Sequence, residues 1–166
     1  MTVRRLVLVD ANVLINLAHV NRLDLLGALT DLDFQVPMEV LHEVICEPGR
    51  TRVRECLSRG PLQEIQLSTL DELTLFTELR AMMGIGEAAC LALASCRGAL
   101  IASDEKRVFR REAEARLGPG CILNTPGLLL LAIRRGLLTI EEADGLKSDL
   151  ESQRFRMRFG SFQEIV

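Results

Sequence analysis

Two aspartates each close an apolar run. Leu6-Val-Leu-Val-Asp10 and Leu100-Ile-Ala-Ser103-Asp104 both read as buried strands that end in an acid. In open α/β sheets, ligands gather outside the carboxyl ends of the strands, so both acids stand where a site forms. An acid in that place also serves as a helix cap, and a helix is expected directly after Asp104, whereas Asn12 is available to cap the helix after Asp10. Glu87 follows Gly84-Ile-Gly86 in the first turn of a helix, where it either complements the helix dipole or faces a site. Glu39, Glu43 and Glu47 lie one turn apart on the helix after Pro37, all off the apolar stripe of Val40, Leu41, Val44 and Ile45, and spacing alone does not choose among them. Four converging carboxylates repel one another unless a cation lies between them, and an all-oxygen set suits Mg²⁺ or Mn²⁺. The chemistry such a set supports is metal-assisted phosphodiester hydrolysis.

The elements that must position these acids follow from periodicity. Strands are expected at 5–10, 33–37, 62–67, 99–103 and 121–124. Helices are expected at 12–20 and 21–29, each opened by an Asn cap, then at 37–46, 51–59, 68–83, 87–97, 105–117, 125–135 and 139–152. Strands alternating with helices predict an α/β fold, a three-layer α/β/α sandwich on a mostly parallel central sheet of about five strands. Residues 1–152 read as one domain and 153–166 as a tail. In the tail, Arg154-Phe-Arg-Met-Arg-Phe159 alternates basic and apolar, as an edge strand or a docking segment would.

The composition bounds the function. The chain has 166 residues, 48% of them hydrophobic and 26% charged, which is enough for one domain with a real core. No apolar run is long enough to span a bilayer, and Asp10 interrupts the stretch after Arg5 with no small-residue cleavage site behind it, so a cytoplasmic protein without a signal peptide is expected. The net charge of −3 argues against a general nucleic-acid coat but not against an enzyme that holds metal with carboxylates. Cys46, Cys56, Cys90, Cys96 and Cys121 read as reduced core residues, since the count is odd and no CxxC occurs. His42 and Cys46 are four apart, but a zinc site needs two more ligands at suitable spacing, and His19 is the one histidine left.

Taken together, four segments resemble the PIN-domain ribonuclease family. Leu6-Val-Leu-Val-Asp10-Ala-Asn12 is similar to its opening strand, and Val36-Pro37-Met-Glu-Val-Leu-His-Glu43 to its second motif, which is what selects Glu43 over its neighbours. Gly84-Ile-Gly86-Glu87-Ala-Ala-Cys-Leu-Ala-Leu-Ala94 resembles the third, and Leu100-Ile-Ala-Ser103-Asp104-Glu105 the fourth. The ordered set is specific where each motif alone is not. The region Asn124–Leu138 is similar to the branch with a Gly-x-Gly-Glu third motif and an extended helical C-terminus. Two departures stand out. Glu87 occupies a place where many members have Asp, and Arg107 stands where a further acid is common, which leaves a second metal weakly held.

The resemblance implies an Mg²⁺- or Mn²⁺-dependent endoribonuclease acting on single-stranded RNA, the toxin of a toxin–antitoxin pair. Under it, Asp10, Glu43, Glu87 and Asp104 are catalytic and metal-binding, and Asn12 and Ser103 hold those carboxylates or waters in place. Arg107, Arg110 and Arg111 would meet RNA phosphates, against a reading in which they form a solvated helix face paired with Glu112 and Glu114. A cognate antitoxin and a homodimer are implied partners, with the apolar segments 13–20 and 23–29 either forming that surface or filling the chain's own core. A PIN-like binding module without activity is the competing reading. A haloacid-dehalogenase-like phosphatase fits less well, because it needs a Lys ahead of its terminal acids, and neither Lys106 nor Lys147 precedes Asp104.

Overall fold

The computed structural model describes residues 2–166; Met1, where the expected domain begins, lies outside them. Five strands form one sheet: β1 (Arg5–Val9), β2 (Leu32–Pro37), β3 (Gln63–Ile65), β4 (Leu100–Ala102) and β5 (Ile122–Leu123). They run in the order β3-β2-β1-β4-β5, and every pairing is parallel. In register, Val7 lies beside both Phe34 and Leu100, and Leu8 beside Gln35 and Ile101. Val7, Leu8 and Val9 are fully buried, as a central strand covered on both faces requires. From β1 the chain first builds outward on one side, then returns to build β4 and β5 on the other. The crevice between the carboxyl ends of β1 and β4 is therefore the switch point of the sheet.

Helix α1 (Ala11–His19) packs with α4 (Gly49–Arg59) and α8 (Thr125–Arg134), α2 (Leu25–Ala28) being a single turn between α1 and β2. On the other face, α6 (Ile85–Arg97) lies against β1, β2 and β4, flanked by α3 (Met38–Leu41), α5 (Leu70–Leu79) and α7 (Val108–Leu117). Ala88 through Ala94 are all fully buried in α6, because small side chains let its backbone approach the sheet closely. Helix α9 (Ile140–Ser152) and α8 carry a second apolar cluster with Leu129, Leu150, Met157 and Phe162.

The structure alters several expected elements. Asp10, not Asn12, caps α1, accepting from the Ala11 N–H at 2.8 Å. Asn21 opens no helix; it takes a positive φ of 53° in the turn before α2. The helix after Pro37 ends at Leu41, so Glu43 lies on a turn and the helical face expected for Glu39, Glu43 and Glu47 does not exist. Helix α7 starts at Val108 rather than Glu105, so Asp104 caps nothing there. Cys56, Cys90 and Cys121 are buried, whereas Cys46 and Cys96 are exposed rather than core. Residues 153–166 form no strand. They dock as a tail ending in a short 3-10 turn (Phe162–Glu164), whose fully buried Phe162 donates its N–H to Asp144 Oδ1 at 2.8 Å. Of the two apolar segments, Val13, Leu14, Leu17, Ala18, Leu26 and Leu29 fill the chain's own core.

Candidate active site

Asp10 leaves the end of β1 and Asp104 follows β4 by two residues, so both reach the switch-point crevice because the two strands are neighbours. Asp10 is 3% exposed. Its Oδ1 accepts from the Ala11 N–H and its Oδ2 from the Ser103 hydroxyl at 3.0 Å. Burial pushes its pKa from 3.8 up to about 7; those two hydrogen bonds oppose the rise, and the charges of Glu43 and Glu87 add to it. Asp104 Oδ1 accepts from the Thr125 N–H at 2.7 Å, and its Oδ2 from the Thr125 hydroxyl and from Asn16 Nδ2 at 2.9 Å. Burial raises the Asp104 carboxyl as well, against these donors.

Asn12 and Ser103 link the two aspartates by way of Glu105. Asn12 Oδ1 accepts from the Asp104 N–H at 3.2 Å, and its Nδ2 donates to Glu105 Oε1 at 3.0 Å. Ser103 Oγ accepts from the Glu105 N–H at 3.1 Å while it donates to Asp10. Sequence reasoning missed Asn16, Thr125 and Glu105. A signal for Asn16 existed, since it lies one turn after Asn12 on an otherwise apolar helix and is buried. Thr125 had none, because its approach to Asp104 depends on the β5–α8 turn.

Glu43 and Glu87 meet at the start of α6. Glu43 Oε1 accepts from the Gly86 N–H at 2.9 Å, and Glu87 Oε2 from the Gly84 N–H at 2.8 Å, closing the first turn of the helix. A glycine at 86 is required for this approach, because a Cβ there would stand 2.7 Å from Glu43 Oε1. Cys90 lies one turn further along α6, and burial pushes its thiol well up, with the charges of Asp10, Glu43 and Glu87 acting in the same direction.

The arginines divide. Arg110 Nε is 2.9 Å from Glu114 and Arg111 is 3.5 Å from Glu112, the acids whose pairing the helical spacing offered. Arg107 stands just before α7 with a positive φ of 54°.

Asp10, Asn12, Ser103 and Asp104 thus share one hydrogen-bonded network, and Glu43 and Glu87 bear on it through their charge. Among the described residues, no three His, Cys, Asp or Glu side chains are gathered as a ready ion cage. The donor chemistry nevertheless fits a hard divalent cation: the groups are all oxygen, and Asp10 is a desolvated acid that also feels the charges of Glu43 and Glu87.

No curated protein matches the chain. Among solved structures, the chain resembles PAE2754 from Pyrobaculum aerophilum with a TM-score of 0.51 and 18% identity, over 83% of this chain and 92% of that one. It also resembles VapBC2 from Rickettsia felis, solved bound to a DNA fragment from their promoter, with a TM-score of 0.49 and 17% identity, over 64% of this chain and 92% of that one. A family model described as PIN domain matches residues 6–166, a span that takes in both strand-end aspartates, the turn carrying Glu43, the start of α6 and the C-terminal tail. With its parallel five-stranded sheet and its acids at the switch point, the chain belongs to the PIN-domain family.

Proposed function

We propose that the protein is an Mg²⁺- or Mn²⁺-dependent endoribonuclease that hydrolyses phosphodiester bonds of single-stranded RNA in the cytoplasm, as the toxin of a toxin–antitoxin pair. The observation that carries the nuclease reading is Asp10: a buried acid at the switch point of a PIN-domain sheet, its pKa raised to about 7, with Glu43 and Glu87 adding to the rise. Such a group is destabilised until a cation compensates it. Asp10, Glu43, Glu87 and Asp104 would hold the ion. When bound, the ion supplies a lowered pKa for the attacking water and neutralises charge at the phosphodiester.

The chain's own residues set the carboxylates for that task. The Ser103 hydroxyl fixes Asp10 Oδ2, the Thr125 N–H fixes Asp104 Oδ1, and the Gly86 N–H fixes Glu43 Oε1. Each of these oxygens keeps a further lone pair. Asn12 and Asn16 orient Asp104 from α1. The toxin role and a cognate antitoxin rest on the motif resemblance, and the homodimer on the family's habit.

Calorimetric Mn²⁺ titration and cleavage of single-stranded RNA, in wild type and Asp10→Asn, test the reading. Wild type is expected to bind Mn²⁺ and cut, and the variant to do neither. Equal cleavage by both, or cleavage undiminished by EDTA, overturns the metal-nuclease proposal; RNA binding without cleavage under any divalent ion leaves a binding module. Growth arrest on expression, relieved by the product of a short neighbouring reading frame, tests the toxin role, and light scattering tests the dimer.

A further inference from the structure

A cleft of about 650 Å³ opens beside Asp104 and runs along the C-terminal tail. Lys106, Arg110, Arg154, Arg156 and Arg158 line it. That is five cations at one place on a chain whose net charge is −3. Arg110 is paired with Glu114; among the described residues, Lys106, Arg154, Arg156 and Arg158 have no carboxylate within ion-pair distance. The alternation along the tail is resolved by burial. Arg154, Arg156 and Arg158 are exposed, Phe155 and Phe159 are half-buried and Met157 is buried. The two rings line the same cleft as the arginines.

The tail is held in place by its inward-facing residues. Met157 and Phe162 belong to the second apolar cluster, Ser161 Oγ donates to Asp144 at 2.6 Å, and the Phe159 ring meets Phe162 edge-on at 5.0 Å. At its start the chain leaves α9 through a left-handed residue. The Arg154 N–H donates to the Glu151 carbonyl, and the Phe155 N–H reaches back to the Leu150 carbonyl, each at 3.0 Å, the pattern that ends many helices on glycine. Here the residue with φ 67° is Arg154. An arginine kept where glycine is the unstrained choice is backbone strain at a site, and its charge faces the cleft.

We infer that this cleft seats the polynucleotide strand on its way to Asp104, with Arg154, Arg156 and Arg158 on successive phosphates and a base lying on Phe155. Cations interleaved with aromatic faces match a single strand, which offers phosphates and flat bases together. An acidic peptide offers the charge without the planar groups. The inference rests on the nuclease reading for the identity of the strand, and assigns its recognition to the tail.

The test is fluorescence anisotropy of a labelled oligouridylate with the full-length protein in EDTA, so that binding is read without cleavage. Replacing Arg154, Arg156 and Arg158 together by Gln is expected to weaken binding about tenfold or more and to lower the slope of log affinity against log salt by about 2, at about 0.7 per phosphate contact on a single strand. Arg154→Gly alone is expected to lower the slope by about 0.7 while raising the thermal midpoint, since it relieves the backbone. Phe155→Leu is expected to weaken binding with the slope unchanged. Unchanged affinity and slope in the triple variant, with the wild-type thermal midpoint retained, overturns the assignment. So does polyglutamate that competes through the same arginines as well as RNA does. If wild type cuts RNA but the arginine variants bind it normally, the cleft fails and the nuclease stands. If the arginines bind RNA that no divalent ion lets the protein cut, the nuclease fails and the cleft stands.

Discussion

Replacing Asp10 by Asn removes a charge from a place almost without water. Asp10 is 3% exposed, and its carboxyl rises from 3.8 to about 7 with burial as the first cause. The folded state therefore holds the proton more tightly than the unfolded chain. The resulting stability is fully present below pH 3.8 and is lost as pH rises through about 7. At about 1.4 kcal/mol for each tenfold change in the ionisation constant, full ionisation costs the metal-free fold about 4 kcal/mol. About 2 to 3 kcal/mol of that falls between pH 5 and pH 8. Asparagine has nearly the same shape. Its oxygen can still accept from the Ala11 N–H, while its amide donates to Ser103 Oγ where the carboxylate accepted. Urea unfolding in EDTA at pH 5 and pH 8 checks this. Asp10→Asn is expected to be more stable than wild type, with an advantage that grows by about 2 to 3 kcal/mol across that range. Added Mn²⁺ is expected to narrow the gap by stabilising wild type, at about 2.7 kcal/mol for a concentration one hundred times Kd. An advantage that is absent at pH 8, or identical at both pH values, refutes the account of Asp10 as a desolvated acid.

Three further outcomes are expected. Gly86→Ala places a Cβ 2.7 Å from Glu43 Oε1, so the carboxylate must leave the Gly86 N–H; Mn²⁺ affinity by calorimetry is expected to fall about tenfold or more while the far-UV spectrum is unchanged. Thr125→Val keeps the volume of a fully buried side chain but removes the hydroxyl that donates to Asp104 Oδ2, and is expected to destabilise by about 1 to 2 kcal/mol in denaturant titration. Arg97→Met strands Glu72, which is 2% exposed and bonded to Arg97 Nε at 2.7 Å, and is expected to cost about 2 to 3 kcal/mol at pH 7. Arg97 holds the Glu72 carboxyl down at about 2 against 4.5. The contribution is present above pH 4.5 and is lost as pH falls toward 2, so the gap between Arg97→Met and wild type is expected to narrow at pH 3.

Much of the architecture was legible in local pattern. Five strands were expected and five form, and the two most uniformly apolar runs, Leu6–Val9 and Leu100–Ala102, are the neighbouring central strands, as burial on both faces of a parallel sheet requires. Gly60 and Gly98 closed their helices where expected, both in left-handed conformations. The errors fell where short-range cues compete. Asn12 and Asp10 both suit a cap, and Asp10 took that place at the strand's end, leaving the Asn12 amide to bridge Asp104 and Glu105. Pro37 suits the first turn of a helix, so the sequence alone puts Glu43 on the helix that follows it. The chain turns off after Leu41, and that release is what lets the carboxylate reach the Gly86 N–H, 43 residues away.

By itself, the order of residues put two acids at the ends of two buried strands and Glu87 directly after a glycine pair, while the motif resemblance picked Glu43 from the three glutamates after Pro37. Periodicity and turn chemistry act over a few residues, so they are readable without a fold. Only the tertiary structure decided that β1 and β4 are neighbours, which places Asp10 and Ser103 within a hydrogen bond of each other. Only it decided that Asn16 and Thr125 converge on Asp104 from two helices, and that the tail brings its arginines to the edge of the same crevice. Burial is what changes Asp10 from an ordinary carboxylate into one that ionises near neutrality, and burial is a property of the packed chain, not of any segment within it.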